Sequence, residues 1–320
     1  AMVQVSPVTK FHSGAGYQYE DSVIYGFTHT NKGHWNLCHI PLLPVTGTPT
    51  PGDYCSPFSH ERESAAPGYY QVFLDRYGVD AQLSSTLRCA FHKYTYPAGA
   101  AASLLADLQR SNEHVRAWDI RKEGDNVFAG WQQTGEKMYF YAVANRPVTG
   151  IEPVVEGDRE VRIVRFGEGD GALELRIGFS FVSEKNAREN LEAEMLGKSF
   201  AEVRSEATAT WNDLLGRIRV EGGTEREKGL FYSSLYRSFL WPALRSDVNG
   251  EFTDVDGKVI NPGFRYYTGP SYWDDYRNKL ILLGMLAPDV AADVISSDTD
   301  KGEKRGGFMP TFFHGDHASA

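Results

Sequence analysis

The segment that decides the fold is Leu173–Met195, which reads LELRIGFSFVSEKNARENLEAEM. Apolar and polar residues alternate from Leu173 to Phe179, and this period of two predicts a half-buried β-strand. After Ser183 the apolar residues recur at every fourth position, which is the spacing of one helix face: Ala187, Leu191 and Met195. The chain is therefore expected to change from β to α structure near Ser183.

Before this change the sequence predicts many short strands. Alternating segments include Gln71–Leu74, Lys137–Val143 and Val161–Phe166. Turn residues separate them, as in Pro51-Gly52-Asp53 and Pro67-Gly68. Short strands at this spacing favour a sandwich or a barrel over a parallel α/β sheet. Residues 1–182 are accordingly predicted to form a β-sandwich domain.

After the change the sequence predicts helices. Residues 183–222 are interpreted as a helical linker, which ends in a short strand at Ile218–Val220. Two serine or threonine residues lie three positions before a glutamate, the spacing of a capping box: Ser199 with Glu202 and Thr224 with Glu227. The helix that opens at Thr224 should end by Trp241, because Pro242 lacks a backbone donor.

Residues 223–320 are predicted to begin an α/α barrel. The segment 251–260 is expected to form a hairpin that turns at Asp256-Gly257, inserted between helices. A further helix is predicted from Trp273 to Leu286, and another after Pro288. A sandwich followed by helix pairs makes the chain multidomain α+β.

The composition limits the class of partner. The 320 residues carry a net charge of −9, with 41% hydrophobic residues, so the chain can bury a sizeable core. An acidic protein lacks the basic face that nucleic acid and anionic membranes require. No apolar run is long enough to span a bilayer. A neutral ligand such as a sugar is compatible with this surface.

The three cysteines allow at most one disulfide, and neither Cys38–Cys55 nor Cys55–Cys89 is favoured by their positions. Their spacing with histidine does not resemble a metal site.

An acidic segment superficially resembles a calcium loop, with Asp247, Asn249, Glu251, Asp254 and Asp256 as candidate ligands. The register fails, because Phe252 stands where such a loop needs glycine and Lys258 where it needs glutamate. The interpretation as a hairpin is preferred.

The most interesting polar group lies at the start of the predicted helix 273–286. Trp273 and Arg277 are four residues apart and would share a helix face, with Asp274 beside them. An indole offers an apolar surface to a sugar ring, and Asp and Arg can each bridge neighbouring hydroxyls. On the residues alone, a capped helix with a buried tryptophan is the simpler alternative.

Other polar residues have two interpretations as well. Asp316 and His317 are either a ligand or acid/base pair, or a helix cap with a neighbouring histidine. His29 and His60 lie among apolar residues, where a histidine is usually a satisfied part of the β-domain. The alternative is that both mark a surface facing the second domain.

Read together, these segments resemble glycoside hydrolase family 92, the calcium-dependent inverting exo-α-mannosidases. The matching strings occur in family order along nearly the whole chain: IYGFTHT at Ile24–Thr30, FSHE at Phe58–Glu61, PGYY at Pro67–Tyr70, LRCAFHKYTYP at Leu87–Pro97, FYSSLYRSF at Phe231–Phe239, SDVNG at Ser246–Gly250, WDDYR at Trp273–Arg277 and GDHA at Gly315–Ala318.

The resemblance implies an N-terminal β-sandwich packed on an (α/α)6 barrel, with the active site at their interface. Family members are longer than this chain, so most of the barrel is expected to follow Ala320. The general acid, the general base and the Ca²⁺ ligands are expected there too. The resemblance makes Trp273, Asp274 and Arg277 the candidate contacts of the terminal mannose, with Trp35 at the rim of the pocket. Asp316 and His317 complete the candidate set of substrate-binding residues.

Two loops depart from the family pattern and leave linkage specificity open. After Thr30 the family usually continues with a loop of small residues, whereas this chain has Asn31-Lys32-Gly33-His34-Trp35. The segment from Thr311 to His314 is shorter than its usual counterpart.

The function implied by the resemblance is calcium-dependent hydrolysis of terminal α-linked mannose from glycans, with inversion. One alternative is release of mannose from mannose-1-phospho-6-mannose caps, where Lys32 and His34 could meet the phosphate. An alternative of another class is a non-catalytic sugar-binding module. The expected location is secreted, periplasmic or at the cell surface, and the expected assembly is a monomer or a simple homo-oligomer.

Overall fold

The computed structural model describes residues 1–32, 35–169, 171–269, 275 and 277–307. Its strands are β1 Ser6–Val8, β2 Val23–Ile24, β3 Gly26–Thr28, β4 Asn31–Lys32, β5 Trp35–Asn36, β6 Leu42–Val45, β7 Ser56–Pro57, β8 Glu63–Ala66, β9 Tyr69–Leu74, β10 Val79–Ser85, β11 Cys89–Thr95, β12 Ser103–Ala106, β13 Ala117–Gly124, β14 Val127–Gln133, β15 Lys137–Ala144, β16 Val148–Glu156, β17 Arg159–Phe166, β18 Leu173–Ser180, β19 Phe252–Thr253 and β20 Val259–Ile260. Its helices are α1 Glu184–Glu194, α2 Phe200–Leu215, α3 Glu225–Ser238, α4 Lys279–Leu286 and α5 Pro288–Lys304, with a 3-10 turn at His60–Arg62.

Fourteen of the first eighteen strands build two antiparallel sheets, while β2 pairs separately with β7 and β4 with β5. The larger has the order β13-β14-β15-β18-β11-β10-β9-β8, and the smaller has the order β1-β3-β6-β12-β17-β16. Aromatic rings join the facing sides of the sheets. Phe27 of β3 stacks on Tyr94 of β11, and Phe128 of β14 meets Phe166 of β17, each pair with centroids 6.3 Å apart. The alternating sequence therefore places one face of each strand in a shared core, and the predicted β-sandwich is confirmed.

Helix α1 packs on the outer side of the larger sheet, against β15 and β18. Ser183 caps it, with its hydroxyl accepting the Asn186 N–H at 3.1 Å. The predicted apolar stripe joins a buried cluster of sheet and helix residues: Tyr69, Cys89, Phe91, Leu191, Met195, Phe200 and Val203. The segment predicted as a linker thus begins with a helix that packs on the sandwich and shares a buried cluster with its larger sheet.

The chain divides into two compact units. The first is Val3–Ala207, and the second is Ala1–Met2 together with the chain from Thr208 onward. Within the second, Trp211 of α2 packs on Tyr236 of α3 with ring centroids 4.5 Å apart, and α4 contacts α5. The predicted boundaries 1–182, 183–222 and 223–320 stay a prediction, while the order of a β part followed by helices, and with it the α+β class, is confirmed.

Most local predictions for the second unit hold. Thr224 and Glu227 form both bonds of a capping box, and α3 ends at Ser238, before Pro242. Strands β19 and β20 pair as the predicted hairpin. Helix α5 begins at Pro288.

None of the described helices is both long and apolar enough to span a bilayer.

Two local expectations differ from the structure. The strand predicted at Ile218–Val220 does not form. The Tyr232 hydroxyl donates to Ile218 O and accepts the Val220 N–H, so these backbone groups bond to a side chain instead of a second strand. The helix predicted from Trp273 is described as helix α4 from Lys279. Residues 270–274 and 276 lie outside the described part of the chain.

The three cysteines are free thiols, so neither disulfide left open by the sequence is formed. Cys38 and Cys89 are buried and Cys55 is half-buried. Burial raises the pKa of the Cys38 thiol to about 12, which keeps it protonated and unreactive at neutral pH.

Candidate functional site

The structure describes two of the six candidate substrate-binding residues. Trp35 lies in β5 of the first unit, and 54% of its surface is exposed. Arg277 lies in the second unit and is exposed. The other four, Trp273, Asp274, Asp316 and His317, lie outside the described residues.

Trp35 is presented by a very short hairpin. Strand β4 pairs with β5 through Asn31 opposite Asn36 and Lys32 opposite Trp35. The chain that follows has an unusual backbone, since Cys38 and Ile40 have φ angles of 55° and 52°. This left-handed region is disfavoured for side chains with a Cβ, most of all for a β-branched one, and costs about 1–3 kcal/mol per residue. Such a conformation persists where surrounding contacts impose it.

Those contacts come first from Asn36, which is fully buried. Its Oδ1 accepts the Cys38 N–H at 2.8 Å and the Thr28 hydroxyl at 3.2 Å. Its carbonyl accepts from Asn112 Nδ2 at 2.6 Å, and its N–H donates to Gly14 O at 2.7 Å. Asn36 therefore fixes the end of the hairpin to three other parts of the sandwich.

Gln132 fixes the second left-handed residue. Its Oε1 accepts the Ile40 N–H at 2.8 Å, and its Nε2 donates to Leu108 O and Arg110 O, each at 2.9 Å. Gln132 is buried on the same face of β14 as Phe128. An amide at an apolar position of an alternating strand is a sequence signal of a buried hydrogen-bonded group, and Gln132 was not among the predicted site residues.

His39 lies behind the hairpin with 2% of its surface exposed. Its Nδ1 is 2.9 Å from the Thr30 hydroxyl. Its Nε2 is 3.0 Å from Glu113 Oε2 and 3.1 Å from Thr134 Oγ1. Thr134 also donates to Glu113 at 2.7 Å. These partners are satisfied when Nε2 donates to the carboxylate and Nδ1 accepts the Thr30 proton.

The two histidines named from the sequence, His29 and His60, both contact other side chains of the first unit. His29 and His92 are fully buried with their Nε2 atoms 3.2 Å apart, and His92 Nδ1 is 2.6 Å from the Tyr94 hydroxyl. Burial lowers the pKa of His29 to about 3 and that of His92 well below its ordinary value, so both are neutral. His60 is stacked on Tyr19, and its hydrogen bond to Glu63 raises its pKa.

In the second unit, the segment that leads to Trp273 is firmly held as far as Gly269. Leu244 and Tyr267 form an antiparallel bridge, and Trp241 Nε1 donates to Gly269 O at 3.1 Å. Helix α5 adds Lys301, whose buried ammonium donates to Tyr267 O at 2.8 Å and pairs with Asp298 at 3.0 Å. Burial lowers the pKa of Lys301.

Next to the candidate Asp274, the carboxylate of Asp275 has a structural partner. Asp275 is 5% exposed and lies 3.2 Å from Lys279 at the start of α4. The carboxylate of Asp275 is therefore engaged in an ion pair with Lys279.

The described residues do not supply a calcium site. Over the described ranges, no three His, Cys, Asp or Glu side chains gather as around a metal ion. The rejected calcium loop is a hairpin in which Asp254 Oδ1 accepts the N–H groups of Asp256 and Lys258, while its Oδ2 pairs with Lys304 at 2.9 Å. Its oxygens are thus already engaged.

Comparison with known proteins gives the family. The model of the glycosyl hydrolase family 92 N-terminal domain matches residues 1–190, and that of the glycosyl hydrolase family 92 catalytic domain matches residues 186–319. The chain belongs to glycoside hydrolase family 92. The resemblance seen in the sequence is therefore confirmed.

Solved structures of this family share the fold. A family GH92 alpha-mannosidase from Bacteroides thetaiotaomicron is 26% identical, with a TM-score of 0.90 over 98% of this chain and 48% of its own. An inverting mannosidase of family GH92 from Bacteroides thetaiotaomicron VPI-5482 is 25% identical, with a TM-score of 0.86 over 100% of this chain and 46% of its own. The chain spans about half the length of these relatives.

A curated relative is an uncharacterized secreted glycosidase from Arthroderma benhamiae. It is 24% identical over 77% of this chain and 38% of its own length.

Proposed function

We propose that the full-length protein is an exo-acting α-mannosidase that hydrolyses terminal α-linked mannose with inversion. The observation that carries the proposal is the match to both domains of the family, together with the TM-score of 0.90 to an alpha-mannosidase. One solved structure of that mannosidase contains mannoimidazole, and another relative is described as inverting. A mannose-containing glycan is the substrate that this similarity supports.

The described residues would take part in binding the sugar. The exposed indole of Trp35 offers an apolar face to a pyranose ring, and the Arg277 guanidinium can donate to sugar hydroxyls. Trp273, Asp274, Asp316 and His317 remain proposed contacts of the sugar. The acid and base are proposed to lie beyond Ala320, at the separation of about 6.5–9.5 Å that inversion requires.

The experiment follows the anomeric form of the first product. Full-length protein is mixed with a terminal α-mannoside, and NMR spectra are recorded before the sugar mutarotates. Inversion yields β-mannose first. A β-mannoside is the negative control, and a mannose-1-phospho-6-mannose substrate compares the two candidate linkages. Initial α-mannose would contradict inversion, and binding without mannose release would favour the sugar-binding module.

Calcium dependence is a separate proposal, based on the family resemblance. Activity should fall after dialysis against EDTA and return with Ca²⁺ but not with Mg²⁺, because Ca²⁺ accepts more oxygen ligands in a flexible geometry. Full activity after chelation would contradict it.

The similarity to a secreted glycosidase supports a location outside the cytoplasm. Fractionation of the source cells would test that location.

A further inference from the structure

The hairpin that carries Trp35 is too small to be stable alone. Each of its strands has two residues, and isolated two-stranded hairpins are at best marginally stable in water. The indole of Trp35 in β5 has more than half of its surface exposed. The backbone that carries it is held by contacts before and after the hairpin.

His39 joins the two ends of this segment. Its Nδ1 bonds to Thr30, immediately before β4, while its backbone carbonyl accepts the His29 N–H at 3.2 Å. Leu37 N–H donates to Thr30 O at 3.2 Å, which closes the loop next to the imidazole. The other ring nitrogen bonds to Glu113, 74 residues away in sequence, and to Thr134, 95 residues away.

Glu113 is itself tied to the same segment. Its N–H donates to the Ser111 hydroxyl at 3.1 Å, and that hydroxyl donates to Leu37 O at 2.7 Å. The imidazole, the carboxylate and the hairpin are thus connected in a closed network. Removing the imidazole would break the direct link from Thr30 to Glu113 and Thr134.

We propose that His39 is a positioning residue, which orders the Asn31–Asn36 hairpin so that Trp35 is presented as a fixed stacking surface for a sugar ring. A side chain ordered before binding loses less conformational entropy when the ligand arrives. The sugar part of this inference rests on the proposed function, whereas the ordering of Trp35 by His39 does not. The two parts are therefore tested by different measurements.

The first measurement observes Trp35 without any ligand. Full-length protein is labelled with 5-fluorotryptophan, and the ¹⁹F resonance that disappears in Trp35→Phe is assigned to Trp35. His39→Ala should shift or broaden that resonance. The matched control is His92→Gln, which alters another fully buried histidine that bonds to Tyr94 and His29 rather than to the hairpin, and it should leave the resonance in place.

The second measurement is a double-mutant cycle on mannose release by the full-length enzyme. His39→Ala should lower kcat/KM about tenfold, mainly through KM, because the loss is one of orientation before binding. In a Trp35→Ala background the same substitution should cause less than about a twofold further loss, since the residue through which it acts is gone.

A substitution of Glu113, the partly exposed partner of His39, tests whether the effects of His39→Ala come only from misfolding. Glu113 has 26% of its side chain exposed. Glu113→Ala should reproduce part of both effects, while Glu113→Gln keeps an acceptor for His39 and should restore them. An unchanged Trp35 resonance in His39→Ala, or equal losses of kcat/KM with and without Trp35, would overturn the proposal. If the wild type releases no mannose, the proposed function fails and the ¹⁹F result alone decides.

Discussion

At the scale of single residues, the buried histidines of the first unit have different partners. His39 is next to a carboxylate, with Glu113 at 3.0 Å. His29 and His92 face each other, so a charge on one would repel a charge on the other. Burial disfavours the charged form of both, and their pKa values are lowered. The fold therefore depends on keeping this pair neutral.

His29 should make the protein sensitive to acid. Its pKa is about 3 in the folded chain and about 6.5 when unfolded, so only the unfolded state takes up its proton as the pH falls below about 6.5. The stabilisation is present above that pH and is lost as the pH falls towards 3. Between pH 7 and pH 5 one such imidazole costs about 2 kcal/mol. Urea unfolding at both pH values should show that His29→Gln loses less stability than the wild type.

His60→Gln is the control for this prediction. The hydrogen bond to Glu63 raises the pKa of His60, so its contribution is present below the unfolded value and is lost as the pH rises. Replacing His60 should not reduce the loss of stability in acid. An identical pH slope for His29→Gln and the wild type would contradict the assignment.

Asp274 should matter for catalysis rather than for folding. In the full-length enzyme, Asp274→Ala is expected to lower kcat/KM by at least about a hundredfold, the scale of a charged hydrogen bond in a desolvated site. Its Tm should change little. Asp275→Ala is the contrast, because Asp275 is buried against Lys279 and its loss should lower the Tm. Near-normal kinetics of Asp274→Ala would refute the substrate contact, and a large fall in Tm would favour a helix cap.

At the scale of elements, the contact between β18 and α1 determines how closely the first helix packs on the sheet. Gly178 of β18 lies directly beneath α1. A Cβ at this position would be 2.1 Å from the Ala187 carbonyl oxygen and 2.8 Å from Leu191 Cβ. Asn190 Nδ2 also donates to Phe179 O at 2.7 Å. The glycine that interrupts the alternating strand therefore allows close approach of the helix backbone.

Gly178→Ala should destabilise the first unit by about 3 kcal/mol or more, because the added methyl group meets backbone rather than a movable side chain. Gly150→Ala in β16 is the matched control, since a Cβ there has nothing within 4 Å. Urea unfolding of both variants measures the difference. Equal stabilities would mean that α1 can move away from β18 at little cost.

At the scale of the whole molecule, the chain spans about half the length of its solved relatives. The family's N-terminal domain matches residues 1–190, whereas the chain covers 48% of a solved alpha-mannosidase. The described residues include candidates for sugar binding and a network that orders Trp35. The acid, the base and the metal ligands are proposed to lie beyond Ala320.

Residues 1–320 expressed alone should release no mannose from a substrate on which the full-length protein acts, because binding groups without the acid and base leave the glycosidic bond intact. Mannose release by both proteins is measured at equal concentration, with circular dichroism to verify that the shorter one retains its β-structure. Release by residues 1–320 at a rate close to that of the full-length protein would place the catalytic carboxylates within this chain.

The sequence by itself determined the features that depend on neighbouring residues. The alternation from Leu173 to Phe179, the stripe from Ala187 to Met195 and the capping box at Thr224 all appear in the structure, because their interactions span at most a few residues. The family strings were also readable, since they need no knowledge of distance in space.

Only the tertiary structure decided what lies behind the candidate site. His39 meets Glu113 and Thr134 from 74 and 95 residues away, and no local pattern records such a pairing. The left-handed backbone at Cys38 and Ile40 is likewise imposed by Asn36 and Gln132 rather than by the preferences of those residues. The sequence of Ile218–Val220 predicts a strand, but a strand also needs a partner strand. In the structure the Tyr232 hydroxyl bonds to Ile218 O and Val220 N–H, and no strand forms there. Contacts between distant parts of the chain form only once the sheets are assembled, so their geometry is a property of the fold.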